Sequence, residues 1–410
     1  MINFFSKNWY NDFMTKKGSY TCIFGGGAIR GIAYIGALQA LEELELKIDT
    51  LAGSSVGSIV ATLVAVGYSP DEISDIFMQV NFELFRDIHF GLNKDFAISK
   101  GNVFTDWIRD LIEKKFYGED YKKGQNKPVL FGNIDRNLVL ITTDLNTFKP
   151  YEFSTFETPD FEIAEAVRIS CSMPGLMVPI EINNKKLVDG DLMKGIPLWK
   201  LSKNLNNPKN RIIEFRLEGD NVGNNGNAFE FLNSIYSCMT SVSTDFIMDC
   251  FGDNDKYDYV KITTGDLIVI DFNIPQKIRN KLIEIGYSDS LKYLTQHFKE
   301  KKSVIIDTYS KLVQLLEELH KSLRLDNVIE ANEDLKDVFL YLADKQKYVD
   351  MDIFDSLIVL KNEIQNAPIK RGWFKQVKFK NKTLLVNRCD ILKKIIDVKR
   401  QELENFISCV

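Results

Sequence analysis

Two glycine-rich turns, each set between a short apolar strand and an apolar helix, constrain this chain more than any other feature. Residues 20–24 (YTCIF) form an extended apolar run that ends in Gly25-Gly26-Gly27, and over residues 32–46 apolar side chains recur at helical spacing. Residues 50–52 then lead into Gly53-Ser54-Ser55-Val56-Gly57, and residues 58–67 read as an almost wholly apolar helix. A strand–turn–helix unit that occurs twice in succession predicts an α/β fold with a mainly parallel central sheet, whose ligands bind at the carboxyl ends of the strands.

Further strands are expected over Asn137–Asp144, Lys185–Asp189, residues 211–216 and residues 267–272. Helices fit Pro70–Gln79 and residues 106–116, 161–172 and 228–251. From about residue 300 the character changes: residues 301–325 and 390–407 have helical apolar spacing, charged faces and few glycines. This divides the chain into a first domain over residues 18–300 and a mostly helical C-terminal region over residues 301–410. Within that region, residues 373–386 contain two short extended runs around Asn381-Lys382 that read as a hairpin.

The 410 residues are 45% hydrophobic, enough for a sizeable core. A net charge of −5 gives no global attraction to polyanions, so no nucleic-acid partner is expected. The six cysteines are scattered without a CxxC pair, which argues for reduced thiols in a cytoplasmic protein and against a disulfide framework or a zinc site. The N-terminal residues show no signal-peptide pattern, and the apolar stretch over residues 59–67 is far too short to span a bilayer. A soluble protein is therefore expected, peripheral at a membrane if bound to one; composition leaves export by a specialised secretion system open.

The segment Gly53-Ser54-Ser55-Val56-Gly57 matches G-x-S-x-G, in which a nucleophilic serine stands on a sharp turn between strand and helix. On its own the pattern also fits a glycine turn with a serine helix cap; its place between a strand and an apolar helix favours the nucleophile. The segment GGGAIRG (residues 25–31) likewise follows a strand and opens a helix, so its amides face whatever anion sits there. A dinucleotide-binding turn would want G-x-G-x-x-G, and the run from Gly26 has Ala28 at the third position. An oxyanion hole opposite the nucleophile fits better. Arg30 either counters charge near the site or pairs with a surface acid.

Among the general bases on offer, His297 and His320 lie in charged helical segments and His89 in an apolar-aromatic stretch, so no Ser-His-Asp triad is supported. The alternative base is Asp189, at the end of the strand KKLVD and on the edge that presents Ser55, where partial burial would help it to accept a proton. In isolation, Asp189-Gly190 fits an ordinary surface turn better.

Three motifs in order, GGGAIRGIAYIGALQALEEL, then GSSVG with GYSPDEI, then AVRISCSMPGLMVPIEINNKKLVDGD, resemble the bacterial branch of the patatin-like phospholipase family, as does LIVIDFNIPQKIRNKLIEIGYSDSLKYL near the end of the domain. The resemblance implies a patatin-like α/β/α fold and a Ser–Asp dyad, Ser55 with Asp189, that cleaves fatty acyl esters without metal or cofactor. It implies an oxyanion loop at Gly26, Gly27 and Ala28, supported by Gly25, Arg30, Gly31, Gly53, Gly57 and Gly190. Two positions depart from the family pattern: Ala28 stands where many members carry glycine, and Asp191 replaces the usual glycine or alanine. A carboxylate two residues from Asp189 could couple to it as a like charge, which would make activity weak, tightly regulated or shifted to higher pH.

The expected activity is that of a lipid acyl hydrolase of phospholipase A or lysophospholipase type, with a phospholipid membrane surface as partner. Residues 77–96, rich in phenylalanine, read either as core or as a membrane-facing lid. The basic run over residues 370–382 reads as a solvated hairpin or a contact for anionic lipid. The alternative function is a regulated effector, or a hydrolase of soluble esters or thioesters, whose C-terminal region binds an activator or forms a homo-oligomer interface.

Overall fold

The computed structural model describes residues 19–86, 97, 99–193, 210–219, 257–265, 274–345, 348–371 and 377–407. The expected strand over residues 267–272 and helix over residues 228–251 lie outside the described residues. The chain forms two compact units, Met1–Leu294 and Thr295–Val410.

The first unit opens with β1 (Ser19–Phe24), whose apolar residues are buried, followed by a 3-10 turn at Ala28–Ile32 and α1 (Ala33–Glu43). The second strand–turn–helix unit is β2 (Ile48–Ser54) and α2 (Val56–Ala65), the latter buried along its whole length. Next come α3 (Pro70–Gln79), fixed at its start by a Ser69–Glu72 capping box, and α4 (Asn102–Tyr117). Then follow β3 (Asn137–Asp144), β4 (Lys149–Ser154), α5 (Ile163–Ser170), β5 (Ile180–Ile182), β6 (Lys185–Asp189), β7 (Asn210–Glu218) and β8 (Tyr257–Thr263).

These strands form one sheet in the order β5-β6-β3-β2-β1-β7-β8, with β4 paired to β3. The stretch β3-β2-β1-β7-β8 is parallel throughout, as the repeated strand–turn–helix pattern predicts. β4 and β6 both run antiparallel to β3, and β5 to β6. The strands missed by pattern reading, β4, β5 and β8, are short or carry polar residues in place of an apolar run.

The helix α6 (Gln276–Arg324) begins in the first unit and continues into the second, which also contains α7 (Val328–Lys345), α8 (Met351–Gln365), β9 (Ile369–Arg371), β10 (Val377–Phe379) and α9 (Lys382–Ile407). The C-terminal region is thus mostly helical. The hairpin, however, pairs Ile369–Arg371 with Val377–Phe379, and Asn381-Lys382 begins α9 instead of forming the turn. Leu384, Leu385 and Val386 look extended as a short string, but Leu385, Cys389, Leu392 and Ile396 are buried at helical spacing, and that longer period decides the structure. No helix among the described residues is long and apolar enough to cross a membrane.

Candidate active site

Ser55 connects β2 to α2 with φ 50° and ψ −130°, a conformation that side-chain-bearing residues rarely adopt. Strain of this kind costs about 1–3 kcal/mol and persists only where the surroundings over-determine it. Here the Ser55 carbonyl accepts from Ser58 N (2.8 Å), Ser58 Oγ (2.6 Å) and Cys171 Sγ (3.2 Å). Its amide donates to Ser170 Oγ (3.1 Å), and that hydroxyl donates to the Ile141 carbonyl (2.6 Å). Burial pushes the Cys171 thiol far above its ordinary range, so it stays protonated and able to donate.

The glycines of the motif serve a close approach. A Cβ on Gly57 would lie 1.9 Å from the Phe24 carbonyl oxygen, so the first turn of α2 rests directly on the end of β1. Gly53 lies against the Gly57 carbonyl, Gly190 against that of Ile141, and Gly31 against the Val56 side chain.

Asp189 reaches the same edge by a route other than the parallel one. β6 runs antiparallel to β3 and enters from beyond its carboxyl end, so that Asp189 pairs with Thr142 while Ser54 pairs with Ile141, one residue away. Asp189 is 1% exposed; its amide donates to the Ser172 carbonyl (2.9 Å), and its Oδ1 accepts the Asp191 amide (2.8 Å).

Ser55, Asp189 and Ala28 border one cavity of about 100 Å³. Its other walls are mostly apolar, with the aromatic rings of Phe77, Phe82, Phe85, Phe104 and Trp107 beside aliphatic and sulfur-bearing side chains such as Met173 and Met177. Phe77, Phe82 and Phe85, the described phenylalanines of the stretch over residues 77–96, are therefore buried wall, with Leu84 exposed beside them; residues 87–96 lie outside the described residues. The described residues lining the cavity include no histidine. His320 is on the part of α6 that belongs to the second unit, and His89 and the His297 side chain lie outside the described residues. No group of three or more His, Cys, Asp or Glu side chains among the described residues is arranged to hold a metal.

In the glycine loop, Gly25 N donates to the Phe215 carbonyl (3.2 Å), and Arg30 N to that of Gly27 (3.2 Å). Arg30 Nε also turns back on the Gly27 carbonyl (3.4 Å), so the side chain folds over its own loop. The amide of Gly26, expected to face an oxyanion, donates to Asp191 Oδ1 (3.2 Å). Ala28 has φ 47°, which explains the preference for glycine there. The Val56 amide opens α2 and has no partner within the helix.

Asp191 directs its carboxylate at Arg216 (3.0 Å), and what it presents to Asp189 is its backbone N–H. Arg216 and its second carboxylate, Glu214, escaped sequence reading, although charges at alternate positions of the apolar run RIIEFR were a signal: β7 lies between β1 and β8, where charges are out of place. Arg168 was missed as well; it is buried and donates to the carbonyls of Lys100 (2.7 Å) and Val178 (3.0 Å) and to Ser172 Oγ.

Residues 22–201 match the family model described as patatin-like phospholipase. An uncharacterised Bacillus subtilis protein, YqhO, is 26% identical over 67% of this chain and 97% of its own length. A probable lipid hydrolase of invertebrate iridescent virus 6, 463L, is 26% identical over 50% of this chain and 70% of its own. The lysophospholipase NTE1 of Candida glabrata is 30% identical over 44% of this chain but only 9% of NTE1. The crystal structure of VipD from Legionella pneumophila superposes with a TM-score of 0.50 at 13% identity, covering 94% of this chain and 90% of VipD, which shows the likeness of fold. Residues 22–201 thus form a domain of the patatin-like phospholipase family.

Proposed function

We propose that this protein is a lipid acyl hydrolase in which Ser55 and Asp189 form the catalytic dyad. The observation that carries this reading is that Ser55 and Asp189, the one strained and the other buried, border a single cavity whose remaining walls are mostly apolar and aromatic. Such a cavity suits a fatty acyl chain with its ester at the polar end.

Ser55 Oγ attacks the acyl carbon as its proton passes to the Asp189 carboxylate, and the carbonyl oxygen becomes an oxyanion. The amides of Gly27, Ala28 and Val56 are the donors for that oxyanion; each well-placed donor contributes about 3 kcal/mol. Collapse breaks the bond to the alcohol, which takes the proton from Asp189. Water then attacks the acyl-serine, giving its proton to Asp189, and the second collapse returns that proton to Ser55 and releases the fatty acid.

The substrate comes from a phospholipid surface on this reading. Leu84, 63% exposed, stands on the same turn as Phe82 and Phe85 of the cavity wall and offers that surface an apolar contact.

Fluorophosphonate labelling alongside fatty-acid release from mixed phospholipid vesicles tests the proposal. Wild-type protein should label and release fatty acid, whereas Ser55→Ala should do neither and Asp189→Asn should lose about 10³-fold or more in turnover. Near-full turnover by Asp189→Asn would remove the dyad. Cleavage of soluble esters in preference to vesicles would favour the soluble-ester alternative. Labelling without release until a cell component is added would favour a C-terminal region that binds an activator.

A further inference from the structure

Beneath the glycine loop lies a buried polar cluster that the proposed chemistry does not use. Arg216, Asp191 and Glu214 have side chains 5%, 6% and 1% exposed. Arg216 Nε donates to Glu214, whose other oxygen accepts from Tyr257 Oη (2.7 Å). Tyr34 Oη sits between the carbonyls of Gly25 (3.0 Å) and Phe215 (3.2 Å). Burial works against the Arg216 charge, but Glu214 and Asp191 outweigh it and hold the guanidinium protonated.

The cluster fills the space that two glycines leave. A Cβ on Gly25 would lie 2.4 Å from an Arg216 nitrogen, and one on Gly26 would lie 2.6 Å from the Asp191 carboxyl carbon. Three donors converge on the single oxygen Asp191 Oδ1: Gly26 N (3.2 Å), Ser54 Oγ (3.2 Å) and Arg216 (3.0 Å). Gly26 precedes the proposed oxyanion donors in the loop, and Ser54 precedes the proposed nucleophile. One carboxylate oxygen therefore ties both halves of the site together, and hydrogen bonds to a carboxylate are stronger than those to a neutral oxygen.

A buried ion pair contributes little net stability compared with apolar side chains of the same shape, so stability alone does not account for the cluster. Transition-state stabilisation, in contrast, depends steeply on where the donors stand.

We propose that Asp191, held by Arg216, is a positioning residue that sets the oxyanion loop against the Ser55 elbow. The inference rests on the hydrolase reading above. It assigns a role to one of the two positions that depart from the family pattern, and it requires that Asp191 act on turnover without touching substrate.

The test compares wild type, Asp191→Ala and Asp191→Asn by kcat and KM on phospholipid vesicles and by the rate of fluorophosphonate labelling, with folding checked by circular dichroism. Asp191→Ala should lower kcat about 10-fold or more with KM within about twofold, and should slow labelling in step. Asp191→Asn, which keeps an acceptor oxygen but loses the charge, should recover part of both. Folded Asp191→Ala with wild-type kcat, or with its loss confined to KM, overturns the role. If Asp191→Ala does not fold, Asp191→Asn decides: a kcat several-fold below wild type supports the role, and a wild-type kcat overturns it. Wild-type protein that neither labels at Ser55 nor releases fatty acid overturns the hydrolase reading itself and this inference with it; a labelled wild type whose variants label equally fast overturns the positioning role alone.

Discussion

The elbow end of the sheet and the helices of the second unit are built on opposite terms. In the second unit burial follows the helical period: α9 buries Leu385, Cys389, Leu392 and Ile396 at helical spacing, while Leu384, Ile391, Ile395 and Val398 stay exposed among the charged residues of its other faces. At the elbow nearly every local rule is broken. Ser55 and Ala28 hold positive φ, and Arg168, Asp191, Glu214 and Arg216 are buried. The contrast teaches that the strained region owes its shape to its neighbours, the condition under which strain and buried charge persist at sites of chemistry.

The sharpest way to break that contrast is Ser55→Gly. If the elbow stores strain for the sake of a nucleophile, this variant should lose about 10³-fold or more of its hydrolysis, while its unfolding free energy rises by about 1 kcal/mol. Acyl release and denaturant midpoints measure the two effects, and a less stable variant would show that the elbow is not strained.

Leu392→Ala probes the other side. It opens a cavity in the core of the second unit and should cost about 2–4 kcal/mol in denaturant unfolding. The folded variant should label at Ser55 at the wild-type rate; slowed labelling would break the separation between structural and chemical regions.

The smallest expected effect is that of Ala28→Gly, which removes a positive-φ penalty at the expense of a more flexible unfolded chain. A gain of about 0.5 kcal/mol in unfolding free energy is expected. A loss would mean that the Ala28 methyl contributes packing at the cavity edge that outweighs the relief.

Much of this was legible in the chain because the signals were local. β1 and β2 are apolar runs closed by glycines, and Ser55 stands in a five-residue pattern whose steric need, a helix start pressed against Phe24, is met within the motif itself. The hairpin near residue 380 was misplaced because a three-residue apolar string looks extended until the helical period beyond it is counted. Asp189 was expected at the right edge, but its strand runs the opposite way, since strand direction depends on the connection and not on the sequence of KKLVD.

Local chemistry alone determined the repeated strand–turn–helix units, the elbow serine and the helical spacing of the C-terminal region, because each depends on residues a few positions apart. Tertiary structure decided the rest of the site. The Gly26 amide and Asp191 are 165 positions apart, and Arg216 and Asp191 are 25 apart. Their meeting follows from the order β3-β2-β1-β7, which places the end of β7 beside the glycine loop. Hydrogen bonds and charge pairs of that kind are set by which strands become neighbours, and no short stretch of the chain encodes that choice.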